Sequence, residues 1–204
     1  MPATLAALGP VGEIVLADGG SLDATKEIAG RVGARIVSAP RGRGSQLAAG
    51  IAAARGSWLL LLHADTRPGQ GWVEKAEAHM RGGAGRAGYF RFALDSADPR
   101  ARRLERAVAW RCRVLSLPYG DQALLIHREL LARVGGVRPI PLMEDVDLVR
   151  RLGRRRLVAL DAEALTSAAR WERDGWHRRS LRNIACLGLW CAGVPPRLIA
   201  RAYE

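Results

Sequence analysis

Cysteine is scarce and irregularly spaced in this chain of 204 residues. Cys112, Cys186 and Cys191 are odd in number, and no Cys-x-x-Cys pair occurs among them. This spacing argues against a disulfide framework and against a structural zinc site. We therefore expect a protein of a reducing compartment, the cytoplasm.

A secretory leader and long apolar runs are also missing. The first eight residues contain no basic segment that leads into an apolar core, so they do not predict a signal peptide. The longest apolar candidate, Ile184 to Val194, has about half of the roughly 20 residues that a bilayer-crossing helix requires. A helix of this kind can still lie on a membrane surface, so the predicted localisation includes the inner face of the membrane.

Lysine is nearly absent, although the chain is strongly basic. Only Lys26 and Lys75 are lysines among 32 basic residues, and the formal net charge is +12. A strong positive field attracts nucleic acid, anionic lipid or phosphorylated ligands. An arginine-, alanine- and glycine-rich composition is also typical of a GC-rich genome, so the charge alone does not choose a function.

Helical and strand patterns alternate along the chain, which has the length of one globular domain. Continuous apolar runs such as Trp58 to Leu62 predict strands that are buried on both faces. The predicted strands lie near 13–17, 34–38, 57–63, 87–94, 123–126, 156–160 and 164–168. The predicted helices lie near 2–9, 22–32, 43–54, 70–81, 99–116, 128–134, 144–153, 176–192 and 195–203. We expect an α/β fold in a single domain, 1–204, with a C-terminal helical segment at 176–204.

Acidic residues stand where predicted strands and turns end. Asp18 follows the first strand, Asp65 follows the third, and Glu144-Asp145 opens a later helix. In an open α/β sheet the ligand crevice lies beyond the carboxyl ends of the strands, so these acids can converge there. A divalent cation, Mg²⁺ or Mn²⁺, is commonly shared between one or two carboxylates and substrate phosphates. The pattern predicts a metal-assisted transferase that uses a diphosphate donor.

These motifs resemble family two of the inverting glycosyltransferases, and in particular a compact bacterial subgroup. Asp18-Gly19-Gly20-Ser21 is similar to the family's Asp-Asp-Gly-Ser turn, and His63-Ala64-Asp65 occupies its Asp-x-Asp position. Glu144-Asp145 matches the acidic pair that supplies the catalytic base. Two further matches are Gly120-Asp121-Gln122 and the late pair Arg170-Trp171.

The resemblance implies a GT-A fold, with three α/β/α layers and a mostly parallel central sheet. It implies that Asp145 is the general base, that Glu144 supports it, and that Asp65 holds a divalent metal ion. The nucleotide-sugar-binding residues that it implies are Asp18, Ser21, Ala64, Asp65, Asp121, Gln122, Arg170 and Trp171. Arg43 is added on chemical grounds, because it opens an apolar helix and arginine offers bidentate donors to a diphosphate.

Other interpretations of these residues stay open. Asp18 can be an ordinary turn former, and His63 can contact a ribose or pack at the strand end instead of binding metal. The pair Glu144-Asp145 can simply favour the positive end of a helix, and Trp171 can fill the core.

The front of the chain departs from the family pattern. Members normally begin with a strand inside the sheet, whereas this chain starts at the helix that follows it. A missing central strand exposes the edges of its neighbours. We therefore expect a domain that is N-terminally truncated relative to the family, through a misassigned start codon or a shortened chain.

Two other functions compete with glycosyl transfer. A non-enzymatic arginine-rich module that binds nucleic acid or a membrane surface explains the charge, but it does not explain the acids. A sugar-phosphate nucleotidyltransferase would need a glycine-rich phosphate loop followed by lysine near the start, and none is present. The expected partners are a nucleotide-sugar donor and an unidentified acceptor, with a lipid-linked acceptor and peripheral membrane contact included; nucleic acid is not expected.

Overall fold

The computed structural model describes residues 1–203. The strands are β1 (Val15–Asp18), β2 (Arg35–Ser38), β3 (Trp58–Leu61), β4 (Thr66–Pro68), β5 (Ala87–Leu94), β6 (Leu124–His127) and β7 (Leu157–Thr166). The helices are α1 (Pro2–Ala7), α2 (Thr25–Arg31), α3 (Arg43–Ala53), α4 (Trp72–Arg81), α5 (Pro99–Leu115), α6 (Arg128–Arg133), α7 (Glu144–Leu152), α8 (Ala169–Asp174), α9 (Trp176–Cys191) and α10 (Pro196–Tyr203). No helix within residues 1–203 is long and apolar enough to cross a membrane.

The strands form a five-stranded sheet in the order β3-β6-β5-β7-β4 and a separate pair, β1-β2. The expectation of a mostly parallel sheet is corrected here, because only β1-β2 and β5-β7 are parallel pairs. The pairs β3-β6, β5-β6 and β4-β7 are antiparallel. A continuous apolar run indicates burial on both faces and not the direction of pairing, so an antiparallel strand that is covered on both faces has the same pattern.

Helices cover both faces of the larger sheet, as β6 shows. Leu124 and Ile126 pack in one core cluster with Leu130 and Leu148 of α6 and α7. Leu125 points to the other face and packs in a second cluster, which includes Trp72 of α4. Successive side chains of a strand point to opposite faces, so β6 is buried between two helical layers.

The pairing of β7 with β5 is irregular at one point. Phe90 pairs with Leu160, whereas the next residue, Arg91, pairs with Glu163. The two predicted strands at 156–160 and 164–168 are therefore one strand with a bulge. The bulge explains why the sequence pattern breaks there.

The facing edges of β1 and β3 have no strand partner among residues 1–203. Ile14 and Asp18 accept main-chain hydrogen bonds from the β2 side, so Val15 and Ala17 direct their main-chain groups away from β2. On β3, the carbonyl oxygen of Ser57 accepts from the N–H group of Arg128 beside β6. Main-chain groups alternate in direction along a strand, so those of Trp58 and Leu60 point away from β6. One gap therefore separates the two sheets.

Candidate functional site

A cleft of about 1490 Å³ runs through this gap and reaches the carboxyl end of β3. Its apolar part is lined by β1 and β3 themselves. Many of the charged and polar side chains that line it come from loops and helix starts. They include Arg43, His63, Asp65, Tyr119, Asp121, Asp145 and Arg170. The structure therefore brings both Asp65 and Asp145, two of the predicted acids, to one cleft.

The acidic pair lies at the first turn of α7. Met143, which precedes it, has φ +66°, a left-handed conformation that is uncommon for a residue with a side chain. Glu144 is 1% exposed, whereas the Asp145 side chain reaches the cleft. One oxygen of Asp145, Oδ2, accepts from the Gly120 N–H group at 2.7 Å, and Oδ1 accepts from the Val146 N–H group at 2.8 Å. These contacts fix the orientation of the Asp145 carboxylate.

Arg43 joins both acids through one guanidinium group. Its Nε lies 2.9 Å from Glu144 Oε1, and its Nη2 lies 3.6 Å from Asp145 Oδ2. Burial alone would raise the pKa of Asp145, but the Arg43 charge and the Gly120 N–H group outweigh burial and lower it. For Glu144, burial and the neighbouring Asp145 charge dominate and raise the pKa to about 7. The pair therefore offers one carboxylate that is held ionised and one that titrates near neutral pH.

Gly44, the next residue of α3, explains how Arg43 reaches these acids. A Cβ atom on Gly44 would lie 2.4 Å from the carbonyl oxygen of Arg138 and 2.6 Å from that of Ile140. Only glycine lets α3 approach the loop before α7 this closely.

His63 lies against the same arginine. Arg43 Nη2 is 3.2 Å from His63 Nδ1 and 3.1 Å from Nε2, so the guanidinium group lies close to both ring nitrogens. Burial, and then the Arg43 charge, lower the pKa of His63 to about 4. A Cβ atom on Gly120 would lie 2.5 Å from His63 Nε2, so the ring fits only beside a glycine. His63 is therefore a neutral, tightly packed side chain in neutral solution.

Asp65 forms an ion pair with a residue that the sequence also placed in the site. Arg170 Nη2 lies 3.3 Å from Asp65 Oδ2, and the Asp65 side chain is 34% exposed. The Asp65 carbonyl oxygen accepts from the Ser167 N–H group at 3.2 Å, which ties this turn to the start of α8. Within residues 1–203, no three acidic, histidine or cysteine side chains cluster as a metal site. Asp65 fits a metal ion only as one ligand that is completed by substrate phosphates and water.

Asp18 and Ser21 form a closed turn. The Asp18 carboxylate accepts from the Ser21 N–H group at 3.0 Å and from the Gly20 N–H group at 3.2 Å. The hydrogen bonds with Ser21 lower the pKa of Asp18. Asp18 is 6% exposed and does not line the cleft, although Ala17 beside it does. In this structure Asp18 shapes the turn at the end of β1.

Asp121 faces the cleft, whereas its neighbour Gln122 does not. The Gln122 amide donates to the Phe90 carbonyl oxygen at 3.0 Å and accepts from Arg111 Nη2 at 3.2 Å. We therefore correct the prediction that Gln122 contacts the donor or acceptor: its side chain holds the loop to the sheet. Asp121 has a buried Oδ1 that lacks a hydrogen-bond partner, and burial raises its pKa to about 6.

Trp171 and Ala64 border the cleft in different ways. Trp171 is 7% exposed and packs with Phe92 at a ring distance of 6.2 Å, so most of the ring is core. The Arg179 guanidinium carbon lies over that ring, 4.8 Å from its centroid. The Ala64 carbonyl oxygen accepts from the Thr4 hydroxyl at 2.8 Å, so its main chain anchors α1 beside the site.

The sequence reasoning missed several residues that line the cleft. The centroid of the Tyr119 ring lies 3.5 Å from the Arg111 guanidinium carbon. Tyr119 lines the cleft and comes just before the Gly120 turn. Arg179, Asn183 and Tyr203 come from α9 and α10. No local motif marks these three. Their place depends on how the C-terminal helices fold back over the cleft.

Comparison with known proteins gives a family and a fold. Residues 4–138 match the family model described as glycosyl transferase family 2. No curated protein is detectably similar in sequence.

Among solved structures, a mycobacterial protein shares 26% identity over 77% of this chain and 55% of its own chain, with a TM-score of 0.52. Glucosyl-3-phosphoglycerate synthase from Mycobacterium tuberculosis, with Mn²⁺ and UDP-glucose, is 21% identical over 95% of this chain and 74% of that chain, with a TM-score of 0.61. The same enzyme with Mn²⁺, UDP and glucosyl-3-phosphoglycerate shares 22% identity over 79% of this chain and 64% of that chain, with a TM-score of 0.54. The chain thus spans less than two thirds of the matched chain in two of these three structures, and its fold is GT-A.

Proposed function

Because the chain belongs to glycosyl transferase family 2, we propose that it transfers a sugar from a nucleotide-diphosphate donor to an acceptor hydroxyl, with inversion at the anomeric carbon. The observation that carries the proposal is the cleft, where Asp145 and Asp65 lie with Arg43 and Arg170. A diphosphate needs cations around it, and a nucleophilic hydroxyl needs a base.

Asp145 is the proposed general base. In an inverting transfer the acceptor hydroxyl attacks the anomeric carbon in one displacement, and a carboxylate takes its proton as the bond to the leaving diphosphate breaks. The lowered pKa keeps Asp145 ionised in neutral solution. Its two hydrogen bonds fix its orientation in the cleft. Glu144 is the proposed positioning residue, because it holds Arg43 beside Asp145.

Asp65 is the proposed ligand of a divalent cation, Mn²⁺ or Mg²⁺. When bound, such an ion neutralises the charge that develops on the leaving diphosphate. The glucosyl-3-phosphoglycerate synthase structures contain Mn²⁺ with UDP or UDP-glucose, which supports this choice. Arg170, released from Asp65, would then contact the donor phosphates as a bidentate donor.

The remaining donor contacts are assigned to the edges of the cleft. We propose that the Asp18-Ser21 turn borders the nucleoside and that Ala64 and Asp121 border the sugar. The Trp171 ring packs in the core beside the cleft and supports the residues that border the sugar. A cytoplasmic site of action and a lipid-linked acceptor are also part of the proposal.

Donor binding tests the proposal directly. We would titrate UDP, GDP and dTDP and their sugars into the protein by calorimetry, with and without Mn²⁺. Asp65→Asn should weaken Mn²⁺-dependent binding by about tenfold or more, since it removes a charged ligand. Asp161→Asn is the matched control, because Asp161 is 80% exposed and does not line the cleft.

Two outcomes would contradict the proposal. Equal binding by the wild type and Asp65→Asn would show that Asp65 is not the metal ligand. An absence of binding to every nucleotide, with tight binding to nucleic acid, would instead favour an arginine-rich anion-binding module.

A further inference from the structure

Helix α9 presents an apolar strip to solvent. Leu181, Ile184, Gly188 and Cys191 follow one another at intervals of three or four residues, so they share one face of the helix. All four are exposed, and Leu181 and Ile184 are each 66% exposed. No charged residue stands on this face between Leu181 and Cys191.

The opposite face of α9 packs in the core. Cys186 packs with Val146 of α7 and Ile199 of α10, and Trp190 borders the same cluster. Helix α9 therefore has two apolar faces. One packs in the core, and the other is the strip that is exposed to solvent. An exposed apolar strip of this kind is a candidate contact surface.

The C-terminal segment that contains the strip is basic. Residues 176–203 contain no acidic side chain. The five arginines of this segment are Arg178, Arg179, Arg182, Arg197 and Arg201. Arg178, Arg197 and Arg201 are exposed, whereas Arg179 is buried in an ion pair with Asp174. A surface with an apolar strip and exposed cations complements anionic lipid headgroups above an apolar interior.

We propose that the outward face of α9 docks on the surface of an anionic phospholipid bilayer. The helix has 16 residues, about 24 Å at 1.5 Å per residue, and it would lie in the interface instead of crossing the membrane. Leu181 and Ile184 enter the acyl boundary, and the exposed arginines contact the headgroups.

This surface deepens the function proposed above. The inward sides of the C-terminal helices contribute Arg179, Asn183 and Tyr203 to the lining of the cleft. Docking through α9 therefore holds the candidate site close to the bilayer. A lipid-linked acceptor could enter from there, and this last step alone rests on the proposed glycosyltransferase activity.

Vesicle binding tests the docking surface without any donor. The full chain would be sedimented with phosphatidylcholine vesicles that contain 30% phosphatidylglycerol, and with pure phosphatidylcholine vesicles, in 150 mM salt. The double variant Leu181→Ser, Ile184→Ser should lower the partition coefficient for anionic vesicles by about tenfold or more, since each side chain loses apolar burial. Leu22→Ser is the control, because Leu22 is a fully exposed leucine in the turn before α2 and should bind as the wild type does.

A label at Cys191 gives an independent readout on the wild-type background. Cys191 is exposed, whereas Cys112 and Cys186 are buried, so an environment-sensitive fluorophore should react selectively there. Its emission should shift to the blue with anionic vesicles and stay unchanged with phosphatidylcholine alone.

Three results would overturn the docking proposal. They are no vesicle binding by the wild type, equal vesicle binding by the wild type and the double variant, and self-association of the wild type in solution that the double variant lacks. The last result would assign the strip to a second copy of the chain. Nucleotide binding by calorimetry is read separately, so loss of docking and loss of donor binding are distinguishable.

Discussion

At the scale of single residues, the candidate site depends on how Arg43 holds the two acids of α7. Its contacts leave Asp145 ionised and facing the cleft, with Glu144 buried behind it. Asp145→Asn keeps the shape of the side chain but removes the basic carboxylate. We expect kcat to fall by about 10²- to 10⁴-fold with little change in donor affinity.

Steady-state kinetics with a donor identified by calorimetry would measure this effect. Asp23→Asn is a suitable control, because Asp23 is an exposed carboxylate in the turn before α2. A decrease in kcat of less than threefold for Asp145→Asn would remove Asp145 as the base.

Glu144 should make the stability of the protein depend on pH. Its pKa is raised from 4.5 to about 7, chiefly by burial, so the folded protein holds this proton more tightly than the unfolded chain does. Its contribution to the free energy of unfolding is therefore greatest below pH 4.5 and falls as pH rises toward 7. His63 acts in the opposite sense, since its pKa is lowered from 6.5 to about 4.

The wild type must therefore be compared with Glu144→Gln, which cannot titrate. Between pH 4.5 and pH 7.5 the wild type should lose stability relative to Glu144→Gln by on the order of 1 kcal/mol or more. Urea unfolding at the two pH values measures this difference. If the two proteins respond to pH alike, Glu144 does not have a raised pKa.

Some site residues could be predicted from the sequence and others could not. Asp65 and Asp145 can be placed at a crevice from the sequence, because acids that follow predicted strands and turns converge there, and both line the cleft. The sequence predicts the same role, contact with the donor or acceptor, for Gln122 and for Asp121 beside it. The two differ because the turn at Gly120–Gln122 directs Gln122 toward Phe90 and Arg111. This difference arises from tertiary contacts, which cannot be predicted from the adjacent residues in the sequence.

At the scale of elements, two helical glycines have opposite environments. A Cβ atom on Gly44 of α3 would meet main-chain oxygens of Arg138 and Ile140, whereas one on Gly30 of α2 would meet open space. Gly44→Ala should therefore destabilise the protein by about 2 kcal/mol or more, because main chain must move. Gly30→Ala should stabilise it by about 0.5–1 kcal/mol, through helix propensity.

Thermal or urea unfolding of the two alanine variants would measure both changes. Equal effects of the two substitutions would contradict the close packing of α3 against the 138–140 loop. A loss of donor binding that is confined to Gly44→Ala would also be expected, since that loop positions α7.

The sequence predicted the longer elements better than the short ones. The strand at 87–94 has the predicted bounds, and α5 ends one residue before its predicted end. The three-residue strand β4 and the six-residue helix α8 were not predicted. Strands and helices this short contain too few residues for a periodic pattern, and they exist here because β7 and the core cluster around Trp171 hold them.

At the scale of the whole molecule, the gap between β1 and β3 predicts how an added strand would behave. Met1 lines the gap, and Thr4 anchors α1 at the carboxyl end of β3. A strand of about five apolar, β-branched residues fused before Met1 would run parallel to β1 and β3 and could bond to both. We expect a gain on the order of 2 kcal/mol in the free energy of unfolding.

Chemical denaturation of the fused and original chains would measure this gain. The control fusion has proline at the middle position, which removes a donor and disfavours pairing. An equal gain from both fusions would show that the added strand does not enter the sheet.

The separation of the two sheets has a consequence for motion within the fold. The unit of β1, β2 and α2 shares no strand ladder with the five-stranded sheet. It is held mainly through α3, which contacts β1, β2 and α7, and through side chains such as Glu13, which accepts from the N–H group of Gly56 at 2.9 Å. Local opening of this unit breaks none of the main-chain pairing that joins β3 to β7, so the wall of the cleft that β1 forms can fluctuate while the wall that β3 forms stays folded.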